Sequence, residues 1–429
     1  MFDTFCRIDF GQQGREMIND TAFLELLERQ RTGWTLEQPF YLDADIFEFE
    51  RNAWMTRQWM LMAHVAELPV KGSHIVRDLF GESIVIVRAG DDDVRAYFNV
   101  CTHRGSQLCK VDGRAPLLVC PYHAWSFKLT GELQSRADVP VDVDPAGLGL
   151  HPVPVHLVEG LIFCALPGDS LPDPVSALDA LAPALSQHGI KRARIAARKS
   201  YPTNANWKLV LENAFECYHC RGAHPEYTRA NGHVQVTGMR DAAKAESWAD
   251  EVSGWQGAIA EASGFDMKFR DIGDLDRMAC SVTRHPIGRG RSTLSQDGAP
   301  VSKLMGAFAD YDGGETQFRF GRLSFASAAN DYVTLVQIQP RGAQQTDMVL
   351  TWLVDAEADP GLDVDAVQWM WDVTTIQDKR IIEDNAAGIR SSAYRPGPYT
   401  PLEDETAAFV QTYRAEMRAL AQLNACGRN

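Results

Sequence analysis

One stretch limits what this chain can become more than any other. From Cys101 to His123 it reads Cys-x-His, sixteen intervening residues, then Cys-x-x-His. Two thiolates and two imidazoles form a metal-binding set, and structural zinc takes the same four donors. Zinc fingers, however, bring both cysteines on one loop and both histidines on another. Here each loop supplies one of each, Cys101 with His103 and Cys120 with His123. A binuclear [2Fe–2S] centre gives a reason for that split. In its mixed-ligand form two cysteines hold one iron and two histidines hold the other. Two parallel loops, each spanning both irons, meet the demand. Gly105, Pro121 and Gly131 favour tight loops whose backbone N–H groups approach the bridging sulfides. Neutral imidazoles on one iron raise the reduction potential above that of an all-thiolate cluster, so a Rieske centre of this kind would accept and pass single electrons. Cys109, between the loops, reads as a buried or idle thiol.

A second signal lies in LENAFECYHCRGAHP, 211–225, where His219 and His224 stand five residues apart. On an unbroken helix their side chains would diverge by about 140°, too far to share a metal easily. Gly222 and Pro225 argue that the helix ends or distorts here, which lets His224 swing back toward His219. Glu216 precedes His219 by one turn, and Asn213 precedes Glu216 by another. Cys217 and Cys220 have no matching second pair and read as packing residues. A mononuclear Fe(II) site for O₂ takes two histidines and one carboxylate and leaves positions open. The helical pattern at 364–389 offers Asp372, Asp378, Glu383 and Asp384. Val367, Trp371, Thr374, Ile382 and Ile389 project within about 40° of Asp378, so that carboxylate falls inside the apolar stripe. The other three point away, toward solvent. A carboxylate in such a stripe is costly without a partner; a metal ion is one, and a hydrogen-bonded buried aspartate is the plainer alternative.

The rest of the chain sets the frame. Its 429 residues correspond to roughly two to three domains. A formal charge of -15 argues against a nucleic-acid partner. The first residues lack a basic start followed by an apolar run, and no stretch approaches the roughly eighteen apolar residues of a membrane span, so the expected location is the cytoplasm. Nine scattered cysteines argue against a disulfide framework. Helical spacing appears at 16–31 and 47–60. From about 74, runs such as SHIVRDLF, ESIVIVRAG, RAYFNVC and LIFCALP read as strands. LPGDSLPDPV, 166–175, reads as a linker. Beyond it come a helical segment at 204–220, a long mobile loop at 287–300, consecutive antiparallel strands in QFRFGRLSFAS, YVTLVQIQ and DMVLTWLV, and the helix at 364–389. The expected class is α+β: a helical segment 1–58, an all-β Rieske domain 59–170 inserted in the remainder, and a catalytic domain 171–429.

NVCTHRG, CPYHAWSF, NWKLVLENAFECYH with His224, and QDKRIIEDNAAGIRSSAYRPGPY together resemble the catalytic α subunits of Rieske non-haem iron oxygenases. The likeness runs from about 40 to 415. It implies a Rieske domain and a helix-grip-like catalytic domain around a seven-stranded antiparallel sheet, with His219, His224 and Asp378 as iron ligands. Glu216 stands where ring dioxygenases of the family carry the aspartate that bridges a Rieske histidine of one subunit to an iron-bound histidine of the next. With the SSAYRPGPY segment, it is more similar to the branch acting on quaternary ammonium compounds, which includes glycine betaine monooxygenases and stachydrine demethylases. The resemblance implies a homotrimer and a separate flavin/iron–sulfur reductase spending NAD(P)H. It also implies oxidative N-demethylation with O₂, the electron passing from His123 through a neighbour's Glu216 to His219, with Asn213 shaping the iron's polar surround. An aromatic-ring hydroxylase and a plain electron carrier are the alternatives. A betaine-like substrate calls for an aromatic cage around its cation and an arginine at its carboxylate. Arg284, Arg289 and Arg291 are the candidates for the latter.

Overall fold

Strands form where β-branched and aromatic residues alternate, and between 60 and 164 they build three small antiparallel sheets. The computed structural model describes residues 20–135, 144–168, 171–236, 242–263, 268–271 and 273–426. The largest of the three sheets has five strands, in the order Gly113–Arg114, Ser73–Leu79, Glu82–Arg88, Val94–Phe98, Pro152–Val153. A second joins Leu118–Val119, Ser126–Phe127 and Leu133–Ser135. In the third, Met60–His64 pairs with Leu161–Cys164, placing Met60 opposite Cys164. Entry to and exit from this all-β unit therefore lie side by side, as an insertion requires.

The remainder is organised by a seven-stranded, wholly antiparallel sheet. Its order is Arg194–Thr203, Gln345–Val354, Tyr332–Gly342, Ser324–Ala328, Gly314–Phe320, Cys280–Pro286, Lys268–Asp271. Side chains alternate across it, so each strand feeds two environments. Val282, Phe318, Phe320 and Leu335 pack with Leu178, Leu181 and Leu185 of helix Val175–Gln187. The opposite face, with Tyr201, Tyr332, Leu350 and Trp352, shares a core with Val367, Met370 and Ile382 of the long helix Val364–Ile389. This is an α+β fold, with the long helix gripped against one face of the sheet. Among the described residues, no helix is long and apolar enough to cross a membrane.

Several local expectations change. The segment at 47–60 is α-helical only to Phe49, then widens into a π turn, Glu50–Trp54, and a 3-10 turn, Met55–Arg57. The helix expected at 204–220 runs only from Trp207 to Ala214. The loop 287–300 is pinned by buried bonds, among them Thr293 Oγ1 to Asp331 Oδ1 at 2.6 Å and Tyr332 OH to the Leu294 carbonyl at 2.6 Å. On the long helix, Asp372 does not face open solvent: it accepts from Tyr201 OH at 2.5 Å and Lys199 Nζ at 3.1 Å. Glu383 likewise accepts from the Asn204 backbone N–H at 2.9 Å. The helix is thus tied to the sheet by its polar positions as well as by its apolar stripe. The apolar arithmetic counted only the latter.

Candidate metal centres

The two loops of the opening motif share one backbone pattern. Cys101 N–H donates to the Ser106 carbonyl at 2.8 Å, and Gly105 N–H to the Cys101 carbonyl at 2.9 Å. Cys120 N–H donates to the Trp125 carbonyl at 2.8 Å, and Ala124 N–H to the Cys120 carbonyl at 3.0 Å. The fourth residue after each cysteine is left-handed, Gly105 at φ 75° and Ala124 at φ 57°. Glycine takes that conformation freely; alanine holds it at a cost of about 1 kcal/mol or more, which the loop's bonds sustain. Both sulfurs are buried, at 2% residue exposure each. The imidazoles of His103 and His123 lie at the exposed rim, ring centroids 4.7 Å apart, and His103 stacks on the buried Trp125 at 4.6 Å.

Burial pushes the Cys101 thiol up. At Cys120 burial acts the same way, but hydrogen bonds from the Tyr122 and His123 backbone outweigh it and hold the thiol below its ordinary value. A sulfur pair inside and an imidazole pair at the rim fit the lopsided charge of a Rieske cluster, with thiolates on the buried iron and neutral ligands on the outer one. Cys109 is raised to about 11 by burial, as befits an idle thiol. Asn99 fixes the segment between the loops: its Oδ1 accepts from Cys109 N–H at 2.9 Å and its Nδ2 donates to the Cys109 carbonyl at 2.7 Å.

The second set is built from a broken helix. Asn206 caps helix Trp207–Ala214, its side chain accepting from Lys208 N–H at 3.0 Å. After Ala214 the chain turns, and the Glu216 carboxylate accepts from the backbone N–H groups of Tyr218 and His219. His219 then precedes the single turn Cys220–Ala223, and His224 sits between it and Pro225–Ala230, where proline starts the next turn. Gly222 and Pro225 mark the break, and the two rings meet: His219 Nε2 lies 3.2 Å from His224 Nε2. Asp378, on the long helix, brings Oδ1 to 2.9 Å from His224 Nε2 and 3.4 Å from His219 Nε2. Neighbouring ligands on metal bonds of about 2.1 Å stand about 3.0 Å apart, so these three atoms fit one face of a six-coordinate ion.

Both remaining ring nitrogens are engaged. His219 Nδ1 donates to Glu216 Oε1, and His224 Nδ1 donates to Gln377 Oε1 at 2.9 Å. Those bonds keep a proton on each Nδ1 and turn each Nε2 toward a metal, which at His219 has to displace the proton shared with Asp378. Asn213 Nδ2 is 3.2 Å from His219 Nε2, beside the set rather than within it. Burial would lower the His219 imidazole, but hydrogen bonds with Asp378 and Glu216 outweigh it and push it up to about 9. Asp378 is held below its ordinary value by the two histidines despite its burial.

The long-helix geometry thus brings Asp378, and none of its three acidic neighbours, to the histidines. Two features escaped the sequence. Gln377, itself held by its Nε2 on Glu226 Oε2 at 2.7 Å, becomes visible only on asking what orients His224. Cys217 and Cys220 are joined by a disulfide and are more than packing residues; the Cys-x-x-Cys spacing carried that signal. Cys220 Sγ lies 3.9 Å from His219 Nε2, but being bonded to Cys217 it offers no thiolate. Of the arginines near the 287–300 loop, Arg284 is buried on the sheet face away from His219, His224 and Asp378 and paired with Asp312 at 2.5 Å. Arg289 pairs with Glu251 at 2.5 Å, and Arg291 donates to the Ser295 carbonyl.

Comparison with known proteins agrees with this architecture. A family model described as the ring hydroxylating alpha subunit (catalytic domain) matches residues 190–419, and one for the Rieske [2Fe-2S] domain matches 58–143. The oxygenase subunit of glycine betaine monooxygenase from Chromohalobacter salexigens is 34% identical over 411 residues, 94% of this chain and 90% of that protein. The carnitine monooxygenase oxygenase subunit of Escherichia coli is 39% identical over 206 residues, 46% of this chain and 53% of that protein. The quaternary ammonium Rieske monooxygenase CntA shares the fold with a TM-score of 0.68, at 23% identity over 92% of this chain and 98% of that one.

Proposed function

The chain belongs to the ring-hydroxylating α-subunit family of Rieske non-haem iron oxygenases, and from that premise we propose that it is the oxygenase component of a monooxygenase that oxidatively removes an N-methyl group from a betaine-like quaternary ammonium substrate. The observation that carries the oxygenase chemistry is the convergence of His219 Nε2, His224 Nε2 and Asp378 Oδ1 within 2.9–3.4 Å of one another. The substrate class is supported by the likeness to glycine betaine monooxygenase along most of the chain.

Cys101, His103, Cys120 and His123 would hold the [2Fe–2S] cluster, which supplies one electron at a time from an NAD(P)H-dependent flavin/iron–sulfur reductase. His219, His224 and Asp378 would hold a mononuclear Fe(II), which supplies O₂ activation at its open positions. The protein's own residues do the positioning. Glu216 and Gln377 keep the Nδ1 protons in place and so hold both rings in the ligating tautomer. Glu216, beside the exposed Tyr218, is also the group that would accept a hydrogen bond from His123 of a neighbouring copy in a homotrimer. Asn213 places an amide next to His219 and adds polarity without charge. Overall, one N-methyl group, O₂, two electrons and two protons give an N-hydroxymethyl group and water. The hydroxymethyl group then leaves as formaldehyde, releasing the tertiary amine and a proton.

The test is oxygen uptake by the iron-loaded protein with a surrogate reductase, against a panel of betaines and aromatic acids. Betaine-dependent uptake with matching formaldehyde is the expected result. A hydroxylated ring product without formaldehyde would establish the aromatic alternative instead, to which the family description also belongs.

A further inference from the structure

Strand Gly314–Phe320 divides its side chains strictly. Thr316, Phe318 and Phe320 take one face, the latter two in the cluster with helix Val175–Gln187. Glu315, Gln317 and Arg319 take the other. The Arg319 guanidinium lies 4.0 Å from the Phe215 ring, and Phe215 immediately precedes Glu216, so this second face looks toward the iron-ligand loop. Glu315 is wholly buried on it. Its Oε1 accepts from Ser327 Oγ at 2.6 Å; its Oε2 takes no hydrogen bond among the described residues but faces His285 Nε2 at 3.4 Å, an ion pair when that ring is protonated, and His285, Ser327 and Gln317 hold the carboxyl below its ordinary value despite its burial. A buried carboxylate is costly to keep charged, and with one imidazole set against this oxygen at 3.4 Å a cation can still answer it.

The neighbours describe the visitor. Tyr227 and Tyr332 are both buried; the Tyr227 phenol is pushed up by burial and then by the charge of Glu315, the Tyr332 phenol by burial, then Asp331, then Glu315. Tyr227 also feels Asp378, so the carboxylate of the ligand set and the buried Glu315 lie within electrostatic reach of one ring. Tyr227 packs on Trp371 at 5.6 Å. Trp371 Nε1, and on the same sheet face Thr334 Oγ1 and Trp352 Nε1, are buried without hydrogen-bond partners among the described residues. Thr334 stands opposite both Ser327 and Trp352 in the sheet. A ligand with N–H groups would be expected to meet more acceptors than one. A quaternary ammonium carries a diffuse charge and no donor, and suits aromatic faces around a single carboxylate.

We propose that Glu315 is the counter-charge for the substrate's ammonium group, with the Tyr227 and Tyr332 rings as walls, and that it thereby fixes which N-methyl group faces His219, His224 and Asp378. This rests on the reading of the substrate as a quaternary ammonium compound. Cation binding at Glu315 places recognition on the sheet, one residue along from positions that pack against the opposite helix.

Calorimetry on the iron- and cluster-loaded protein tests it with two probes of one shape: glycine betaine and its uncharged-headgroup analogue 3,3-dimethylbutanoate. The wild type should prefer the cation. Glu315→Gln should weaken betaine by about tenfold or more and leave the analogue within about twofold, while Glu315→Asp keeps part of the preference. If Glu315→Gln retains the full preference, the assignment of Glu315 falls and the substrate class stands. If the wild type shows no preference for the cation, the substrate class falls and the assignment with it. Should Glu315→Gln not fold, as judged by the cluster's visible spectrum, Tyr227→Leu replaces it: selective loss of betaine supports the site, and unchanged selectivity overturns it.

Discussion

Glu216 answers three donors of a single turn: the His219 ring and the backbone N–H groups of Tyr218 and His219. A methylene shorter, an aspartate would have to give up one of them or pull the turn inward. His219, in turn, depends on that carboxylate for its tautomer. Replacing His219 by alanine should remove the mononuclear iron while leaving the cluster's colour, so that iron falls from roughly three to two per chain at constant acid-labile sulfide; metal and sulfide analysis reads this directly. A nearby carboxylate gives a pH signature. Glu212 is raised to about 7 by burial, although Tyr41 and Tyr399 donate to it. Its folded value lies above the unfolded one, so its stabilising contribution is complete below about pH 4.5 and is lost as pH rises through 7. Glu212→Gln should therefore gain on the wild type between pH 5 and 8, by up to about 3 kcal/mol, in denaturant titrations at the two pH values.

The elements are joined by a buried charge. Lys208, at the start of helix Trp207–Ala214, meets Glu50 at 2.6 Å with both side chains fully enclosed. Glu50 also accepts from Trp207 Nε1 at 2.8 Å and from Tyr413 OH on helix Asp404–Cys426. Lys208→Met should cost about 3–5 kcal/mol, because it strands Glu50, and adding Glu50→Gln should recover much of the loss; melting temperatures of the single and double variants check this. It is also at this scale that the sequence was most and least legible. The long helix and its aspartate were readable because periodicity placed Asp378 among Val367, Thr374 and Ile382, which are indeed buried. The strands of the second half were readable from alternation. The end of the helix at Ala214 was not, since apolar spacing continues past it and the stop is made by Glu216 capping the following turn. Gln377 was hidden for a related reason, since its role is set by partners distant in sequence, whereas the disulfide was signalled by the Cys-x-x-Cys spacing and passed over for want of a second pair.

At the scale of the whole molecule, electron delivery is the open quantity. If Glu216 serves a cluster in a neighbouring copy, then subunits lacking the cluster through Cys101→Ser and subunits lacking the iron through His219→Ala should each be inactive alone. Co-expressed as mixed oligomers, they should regain measurable turnover; none regained would place transfer within one chain or along another route. The native mass of the same preparations gives the subunit number.

The alternation of strand Gly314–Phe320 carries one more consequence. Odd positions take the face toward the ligand loop, with Glu315 buried on it, while Phe318 and Phe320 are cemented against helix Val175–Gln187. Diet and scaffold are therefore written on opposite sides of one ribbon. If Glu315 meets the substrate, a descendant of this chain would change what it consumes by exchanging odd-numbered side chains, and keep both the wiring and the shape it inherited.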